Sequence, residues 1–476
     1  MNLTGVSSTG YTNIGCVTPN GISYTAGTGP VTCASSGMQS LVNPDRDMFA
    51  PRFGFAYRPK AKLKAFSDWV IRGGYGVNYN TGQYATFAKL LSHQEPFSVT
   101  QTNDFPLYSV NSATAPTATG CTTTQSQYTY TNSQGQTVTR PATTANLSLN
   151  NANSGFNCST QLGLTNNWAV DPNYRLGIVQ IYNLNLQRTL PLQIVFNIGY
   201  NGSKASNLDV VGSPNASPSG VSTPGIAPFD FEEALAAAHS NQLVVSLQKR
   251  QQKGIALGFT YTYMHAIDNA SGVGGAVGTP IQNFYNLRAE EGNSSFDQRQ
   301  NLTGNWLLEL PFGPNRAFLN KGGMMSHVLD GFSLSGAFTF ATGNYFTPQY
   351  SGSEQEAASG NTFTQRPDRV FSQSIAGAGK LTQWFNTAAF IAPVGTYGTA
   401  SQGSIEGPGT VSVNAALSRT VQFKGTNSLE ARVTANNIFN TVQYSGISVT
   451  QNSATFGEVT GAAAMRSLIV LMRYRF

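Results

Sequence analysis

A chain of 476 residues could hold several soluble domains, but one closed sheet can run as long, so length alone does not set the domain count. Charged residues are only 11% of the total against the ~25% of a typical soluble domain, yet mean hydropathy is −0.19, and the balance is made up by Ser, Thr, Asn and Gln with 49 Gly, 28 Phe and 20 Tyr, too aromatic for a disordered chain. The net charge of +6 is spread thinly with no basic stripe interleaved with aromatics, which argues against nucleic acid as a partner, and no run of about 18 apolar residues offers a transmembrane helix.

Taken in chain order, the sequence alternates at period two, the spacing that puts successive side chains on opposite faces of a strand. Strands are predicted at Phe53 to Arg58, Trp69 to Asn80, Ile178 to Arg188, Leu192 to Tyr200, Leu243 to Lys249 and Ile255 to Tyr263. Further on, Leu302, Gly304, Trp306, Leu308 and Leu310 oppose Asn301, Thr303, Asn305 and Glu309, and Phe332 to Phe340 alternates with Ser333, Ser335, Ala337 and Thr339. Val411, Val413, Ala415 and Leu417 alternate with Ser412, Asn414, Ala416 and Ser418; Leu429 to Ala435 alternates with Glu430, Arg432, Thr434 and Asn436. In the last segment Leu468, Val470, Met472, Tyr474 and Phe476 share one face, and Ile469, Leu471, Arg473 and Arg475 the other. These make eleven strands, most of them long enough for the ~9 to 11 residues of a tilted bilayer crossing.

The connections alternate as well. Short turns fall at Pro59 to Asp68, Thr189 to Pro191, Arg250 to Gly254, Pro311 to Gly331 and Gln422 to Asn427; long Ser/Thr/Asn/Gly-rich loops fall at Thr81 to Asn173, Asn201 to Asn241, His265 to Phe296, Thr342 to Thr410 and Asn440 to Met465. Short turns at one end and long loops at the other is the layout of an outer-membrane barrel, periplasmic and extracellular respectively. Seven of the ten lysines, Lys60, Lys62, Lys64, Lys249, Lys253, Lys321 and Lys424, lie at or beside the short turns and mark one rim. A soluble sandwich, solenoid or propeller would alternate too; strand length, the loop asymmetry and the aromatics Trp69, Tyr79, Tyr263 and Phe312 near strand ends favour the barrel. Asp230 with Glu233 suggests a capping box before Ala234 to Ala238, hence a short helix in an extracellular loop.

Cys16, Cys33, Cys121 and Cys158 all fall in the inferred extracellular segments with no CxxC pair. An even count in loop-like sequence fits two local disulfides, Cys16 with Cys33 and Cys121 with Cys158, made in an oxidising compartment; free thiols are the alternative. Met1 to Gly10 has neither the positive start nor the apolar run of a signal peptide, so the expectation is a fragment or an upstream start.

Enzyme chemistry finds little support. Ser246 and Lys249 match SxxK, but on an alternating strand they point to opposite faces. His93, His239, His265 and His327 show no metal-binding spacing and read as solvated loop residues. Gly73, Gly74 and Gly76 read as strand glycines of a barrel wall. Glu290 with Glu291, or Asp368 near Arg366 and Arg369, could take Ca²⁺, although a flexible charged loop is the simpler reading. No cofactor, metal site or catalytic residue is expected.

Several segments resemble the Oar-like TonB-dependent receptors: FAPRFGFAYRP from Phe49, WVIRGGYGVNYN from Trp69, VQIYNLNLQRTLP from Val179, LVVSLQKRQQKGIALGFTYTYMHAID from Leu243, FDQRQNLTGNWLLELPFG from Phe296, LDGFSLSGAFTFATGNYFTP from Leu329, WFNTAAF from Trp384 and EARVTANNIFN from Glu430. Leu468, Val470, Met472, Tyr474 and the terminal Phe476 are similar to the signal read by the barrel-assembly machinery. The resemblance implies an all-β, up-and-down transmembrane barrel of 22 strands, of which eleven are here, with residues 1–48 a loop remnant and 49–476 the C-terminal part of the barrel. It also implies a Gram-negative outer-membrane location, a plug that contacts TonB lying elsewhere in the parent, and uptake of a scarce ligand, a metal chelate or an oligosaccharide. Arg72, Asn305, Glu309, Glu430, Arg432 and Asn436 would line the polar lumen, and lipid would contact the outer face. The alternative is a membrane anchor for adhesion or surface structure.

Overall fold

The computed structural model describes residues 42–59, 68–80, 168–171, 173–212, 230–270, 279–283, 285–314, 316–321, 323–350, 365–393, 397–423 and 427–476, with short strands at 17–18, 21–22, 127–131, 137–141, 216–217 and 220–221. All four cysteines, His93 and most of residues 1–48 lie outside the described residues.

Eleven long strands form one antiparallel meander. They are β1 (Arg52–Tyr57), β2 (Trp69–Tyr79), β3 (Ile178–Leu190), β4 (Ile194–Gly212), β5 (Asp230–Gln252), β6 (Ile255–Asp268), β7 (Gln300–Glu309), β8 (Phe332–Ala341), β9 (Thr410–Gln422), β10 (Ser428–Asn436) and β11 (Ser467–Arg475). Each pairs with its predecessor and its successor in sequence, so the spatial order is the chain order from β1 to β11. Three short segments join the margin of this sheet: Trp168–Val170 parallel to β5, Thr279–Pro280 parallel to β4, and Gly292–Asn293 antiparallel to β6.

The turns at one end are tight where backbone chemistry allows it. Lys253 (φ 54°) and Gly254 (φ 75°) both take left-handed conformations between the paired Gln252 and Ile255, the two-residue hairpin whose twist suits the flanking strands. Between β3 and β4 the chain reverses over Pro191–Gln193, with Leu192 and Gln193 also at positive φ. The β7–β8 connection, expected as a plain turn, contains a helix, α1 (Met324–Leu329). Arg419 ties it down by donating to His327 O (2.8 Å) and Asp330 O (3.2 Å).

The predicted helix at Ala234 to Ala238 is absent, because that stretch belongs to β5. Alanine favours helix by well under 1 kcal/mol per residue, whereas here the segment is paired with β4 along one edge and, at Ala237 and Ala238, meets Asn269 and Asp268 at the end of β6. Register shifts between Ala234 and Ala238 relieve the pairing, and the Ala237 N–H donates to Asn269 Oδ1 (2.8 Å). Ala236 is buried beside Val210 and Ile281. Strands β4 and β5 therefore run well past the loop starts read from the sequence, and His239 and His265 are strand residues rather than loop residues. Tyr263 lies inside β6, not at its end, while Trp69 and Tyr79 are the end residues of β2 and Phe312 follows three residues after β7.

The segments between β8 and β9 and between β10 and β11, read as loops, carry a small core of their own. Phe385, Ala389, Phe390, Ala400, Ile405 and Ile447 are buried together, with Phe346, Trp384, Phe456 and Val459 packed against them. Phe385 meets Phe390 and Phe456 edge to face at 5.9 and 5.1 Å. Short pairs, Tyr345–Phe346 with Ile405–Glu406 and Asp368–Arg369 with Phe390–Ile391, hold this layer together.

Candidate functional site

Residues directly opposite one another in an antiparallel pair share a face, so the register assigns every side chain. One row runs Leu186, Ile198, Val245, Tyr261, Leu302, Phe340 and Val411 across β3 to β9. The neighbouring residue of each strand gives the row on the other face: Gln187, Asn197, Ser246, Thr260, Thr303, Thr339 and Ser412. The first row is wholly apolar and the second wholly polar. That segregation, maintained across seven strands, is what a wall with oil on one side and water on the other requires.

Arg72, Asn305, Glu309, Glu430, Arg432 and Asn436 all fall on the polar face. Arg72 joins the row Asn185, Gly199, Val244, Thr262 and Asn301; Glu309 joins Ser333, Ser418 and Arg432. They are not one cluster. Arg72 stands towards the β1 side, whereas Glu309, Glu430 and Arg432 stand near the tight turns towards β11. Glu309 accepts from Gln251 Nε2 (2.6 Å) and Arg316 (3.3 Å), and Glu430 lies 4.0 Å from Arg473. Asn436 donates to Ser467 Oγ at 3.1 Å. Ser246 faces this side and Lys249, opposite Leu257 and Ile194, faces the other, so the SxxK pair is separated by the sheet.

Between these charges the polar face carries none. On β3 (179–189), β4 (195–205), β5 (238–248), β6 (256–266), β7 (301–307), β8 (333–341) and β9 (410–418), every residue in register on that face is uncharged. The individual alternations were visible in the sequence; only the register shows that seven strands bring their neutral polar residues side by side. Around Asn305 the face has a shallow concavity of about 410 Å³, lined by residues 246–248, 258–260, 303–305 and 337–339, with Leu247, Phe259 and Phe338 among them, and the Asn305 amide lies over Gly258.

On the apolar face large rings lie over glycines, an arrangement that fills the gap a missing side chain leaves. Phe338 and Phe259 cover Gly304, Trp306 covers Gly336, Phe55 covers Gly73 and Tyr182 covers Gly202. Gly73 is thus a wall glycine under a ring, in agreement with its strand assignment.

At the loop end, two connections distant in sequence are locked together. Arg366 forms a bidentate pair with Glu290, Nη1 to Oε2 at 2.8 Å and Nη2 to Oε1 at 3.1 Å, and Nη2 also donates to Ala289 O. The Arg366 backbone N–H donates to Gln282 Oε1 (2.6 Å), and Gln282 Nε2 donates to Gly398 O (2.9 Å). Nearby, Gln402 donates to Asp268 Oδ1 (2.6 Å), and Asp297 holds Arg299 at 2.7 Å while accepting from the Ala266 N–H. Arg299 also stacks over Tyr345 at 5.5 Å; burial raises the Tyr345 phenol pKa, with Arg299 opposing. Glu290 and Arg366 are therefore not a flexible charged loop. Among the described residues no group of three or more His, Cys, Asp or Glu could hold a metal ion.

The model of the outer membrane beta barrel domain family matches residues 5–469. The chain belongs to this family. As a family member it is an all-β protein of the Gram-negative outer membrane, and its antiparallel meander is the part of the barrel wall described above. A comparison with curated proteins finds no match. Among solved structures it is similar to the outer membrane transporter YddB from Escherichia coli, at 10% identity and a TM-score of 0.46, over 90% of this chain and 40% of that one. It is also similar to the siderophore receptor PiuA from Acinetobacter baumannii, at 9% identity and a TM-score of 0.39, over 88% and 35%, and to the ferripyoverdine receptor of Pseudomonas aeruginosa, at 10% and 0.39, over 89% and 32%. The chain thus spans about two-fifths or less of the length of these proteins.

Proposed function

We propose that this chain is the C-terminal part of a TonB-dependent receptor of the Oar-like kind, supplying eleven strands of a larger barrel of 22, and that it is not an enzyme. The separation of the two register rows carries this reading. The row containing Thr303 faces an aqueous lumen and the row containing Leu302 faces lipid, so Arg72, Asn305, Glu309, Glu430, Arg432 and Asn436 line the lumen. The parent takes a scarce ligand at its extracellular loops and passes it inward, with energy delivered through TonB to a plug lying outside these eleven strands. Leu468, Val470, Met472, Tyr474 and Phe476, all exposed on one side of β11, suit recognition by the barrel-assembly machinery.

A second reading, a membrane anchor for adhesion, is favoured by the loop layer, which has its own aromatic core and buried ion pair. Co-purification of the periplasmic domain of TonB with the parent receptor separates the two. Capture of TonB is the expected result; correct membrane insertion without capture favours the anchor. Monomeric, compact behaviour of this chain in plain buffer without detergent would overturn both.

A further inference from the structure

We infer that α1, in the β7–β8 connection, is an interfacial anchor that lays its apolar side into the headgroup region of the periplasmic leaflet, with anionic phospholipid as its partner. The inference rests on the reading of the apolar face as the lipid face and of the tight turns as periplasmic, and it goes further by giving a partner to a segment outside the strands. At 3.6 residues per turn Met324, Val328 and Met325 fall within an arc of about 100°, and all three are exposed, at 87%, 44% and 63%. Ser326, on the other side of the helix, is buried. For a segment bathed in water α1 is thus inside out, hiding its serine and showing its methionines. Phe318 and Leu319, in the same connection, are exposed as well.

The register fixes the side of the wall that α1 occupies. Phe332, the first residue of β8, stands opposite Arg419, and Leu334 stands opposite Leu417 on the apolar face, so Phe332 and Arg419 share that face. The Arg419 guanidinium stacks over the Phe332 ring at 5.3 Å and reaches past the strand ends to His327 O in α1 and Asp330 O just after it. That tie draws α1 to the outer side of the tight-turn rim. Arg316, earlier in the same connection, goes the other way, to Glu309 on the polar face. Two more cations mark the same height on the apolar face: Arg188, over the Trp69 ring at 5.9 Å, and Lys249, opposite Ile194, which turns back to Gln252 O and Ile255 O. Long basic side chains beside aromatic rings are the chemistry of a membrane boundary, where the stem stays in oil and the charge meets headgroups. From Pro311 to Leu329 the chain carries Arg316 and Lys321 and no acidic residue, so the charge beside the methionines suits an anionic headgroup.

The test uses the parent protein reconstituted at low density in vesicles of phosphatidylethanolamine and phosphatidylglycerol and treated with hydrogen peroxide, which converts methionine to its sulfoxide. Each methionine's rate is read by mass spectrometry against its own rate in urea. Met324 and Met325 should oxidise several-fold more slowly in the vesicles, as should Met472 on the apolar face of β11. A phospholipid carrying a diazirine beside its glycerol should, on irradiation, label residues 324–328, and Lys321→Glu should weaken that labelling several-fold. Free oxidation of Met324 and Met325 while Met472 is protected overturns the anchor and leaves the lipid face standing; Met472 oxidising at its urea rate sinks the face assignment itself. Protection without diazirine labelling means that protein covers α1, which also overturns the anchor, and labelling indifferent to Lys321→Glu overturns the anionic headgroup as its partner.

Discussion

Arg366 and Glu290, 76 positions apart, meet as a two-pronged ion pair whose side chains are only 5% and 3% exposed. Removing one partner leaves a buried charge unmatched, which typically costs about 3–5 kcal/mol. Arg366→Ala should therefore loosen the loop layer while sparing the wall. Hydrogen exchange should rise at residues 282–291 and 365–370 and stay unchanged in β7 to β10. Replacing both partners together, with Glu290→Leu and Arg366→Met, should restore much of the protection; failure to do so would show that the pair's other hydrogen bonds dominate.

The two faces of the sheet predict opposite tolerance to charge. Val470 lies opposite Val433, and Leu334 lies between Leu308 and Leu417, all on the apolar face. Arg at either position should cost about 2–4 kcal/mol if it lies near the bilayer midplane. Thr434→Arg, on the other face opposite Ala416 and Ile469, should cost far less. Urea unfolding of the three variants in lipid vesicles makes the comparison, and equal losses would refute the assignment of faces.

The space at Gly304 is already taken by the Phe338 and Phe259 rings. Gly304→Ala should overpack the site and destabilise by about 1–3 kcal/mol. Adding Phe338→Leu should recover part of that loss, so a double-mutant cycle should give a coupling well above the error of measurement. Additive effects would mean that the rings move aside freely.

Glu233 sits high on β5, far beyond the ~9–11 residues nearest the Lys253–Gly254 turn that suffice for a crossing. Burial, with Asp171 adding to it, raises its carboxyl pKa from 4.5 to about 7. The folded state thus holds a proton that the unfolded state releases near 4.5. Its contribution is fully present below about 4.5 and is lost as pH rises through about 7. Local protection around β4 and β5 should be greater at pH 5 than at pH 8, and Glu233→Gln should flatten the difference. A wild-type profile that rises with pH would contradict the burial argument.

Deleting Phe476 should impair outer-membrane assembly of the full-length parent, scored as the fraction resistant to urea extraction from membranes. Normal insertion of the shortened protein would count against a terminal assembly signal.

The wall was legible because a strand writes its environment into consecutive residues. Thr303 beside Leu302, or Thr339 beside Phe340, already states which side is wet, and the eleven strands emerged in order with their short and long connections. Register was not legible, since nothing in Ser246 alone says that it stands level with Asn197 and Thr260. The alanines from Ala234 to Ala238 misled because their helix preference is weak and pairing with β4 outweighed it. The loop layer was hidden for a different reason. Phe385 and Ile405 stand twenty residues apart in one connection and Ile447 comes from another, with no common period, and Glu290 finds Arg366 only after two connections fold against each other.

Strand lengths shape the mouth. The 23 residues of β5 would measure roughly 75 Å at about 3.3 Å apiece, more than a hydrocarbon slab of about 30 Å demands even of a steeply inclined strand. Its neighbour β4 is nearly as tall, whereas β7 and β8 have 10 residues each. Among the described residues the edge of the sheet away from the tight turns is therefore uneven, with β4 and β5 reaching beyond β7 and β8, where the folded connections continue instead.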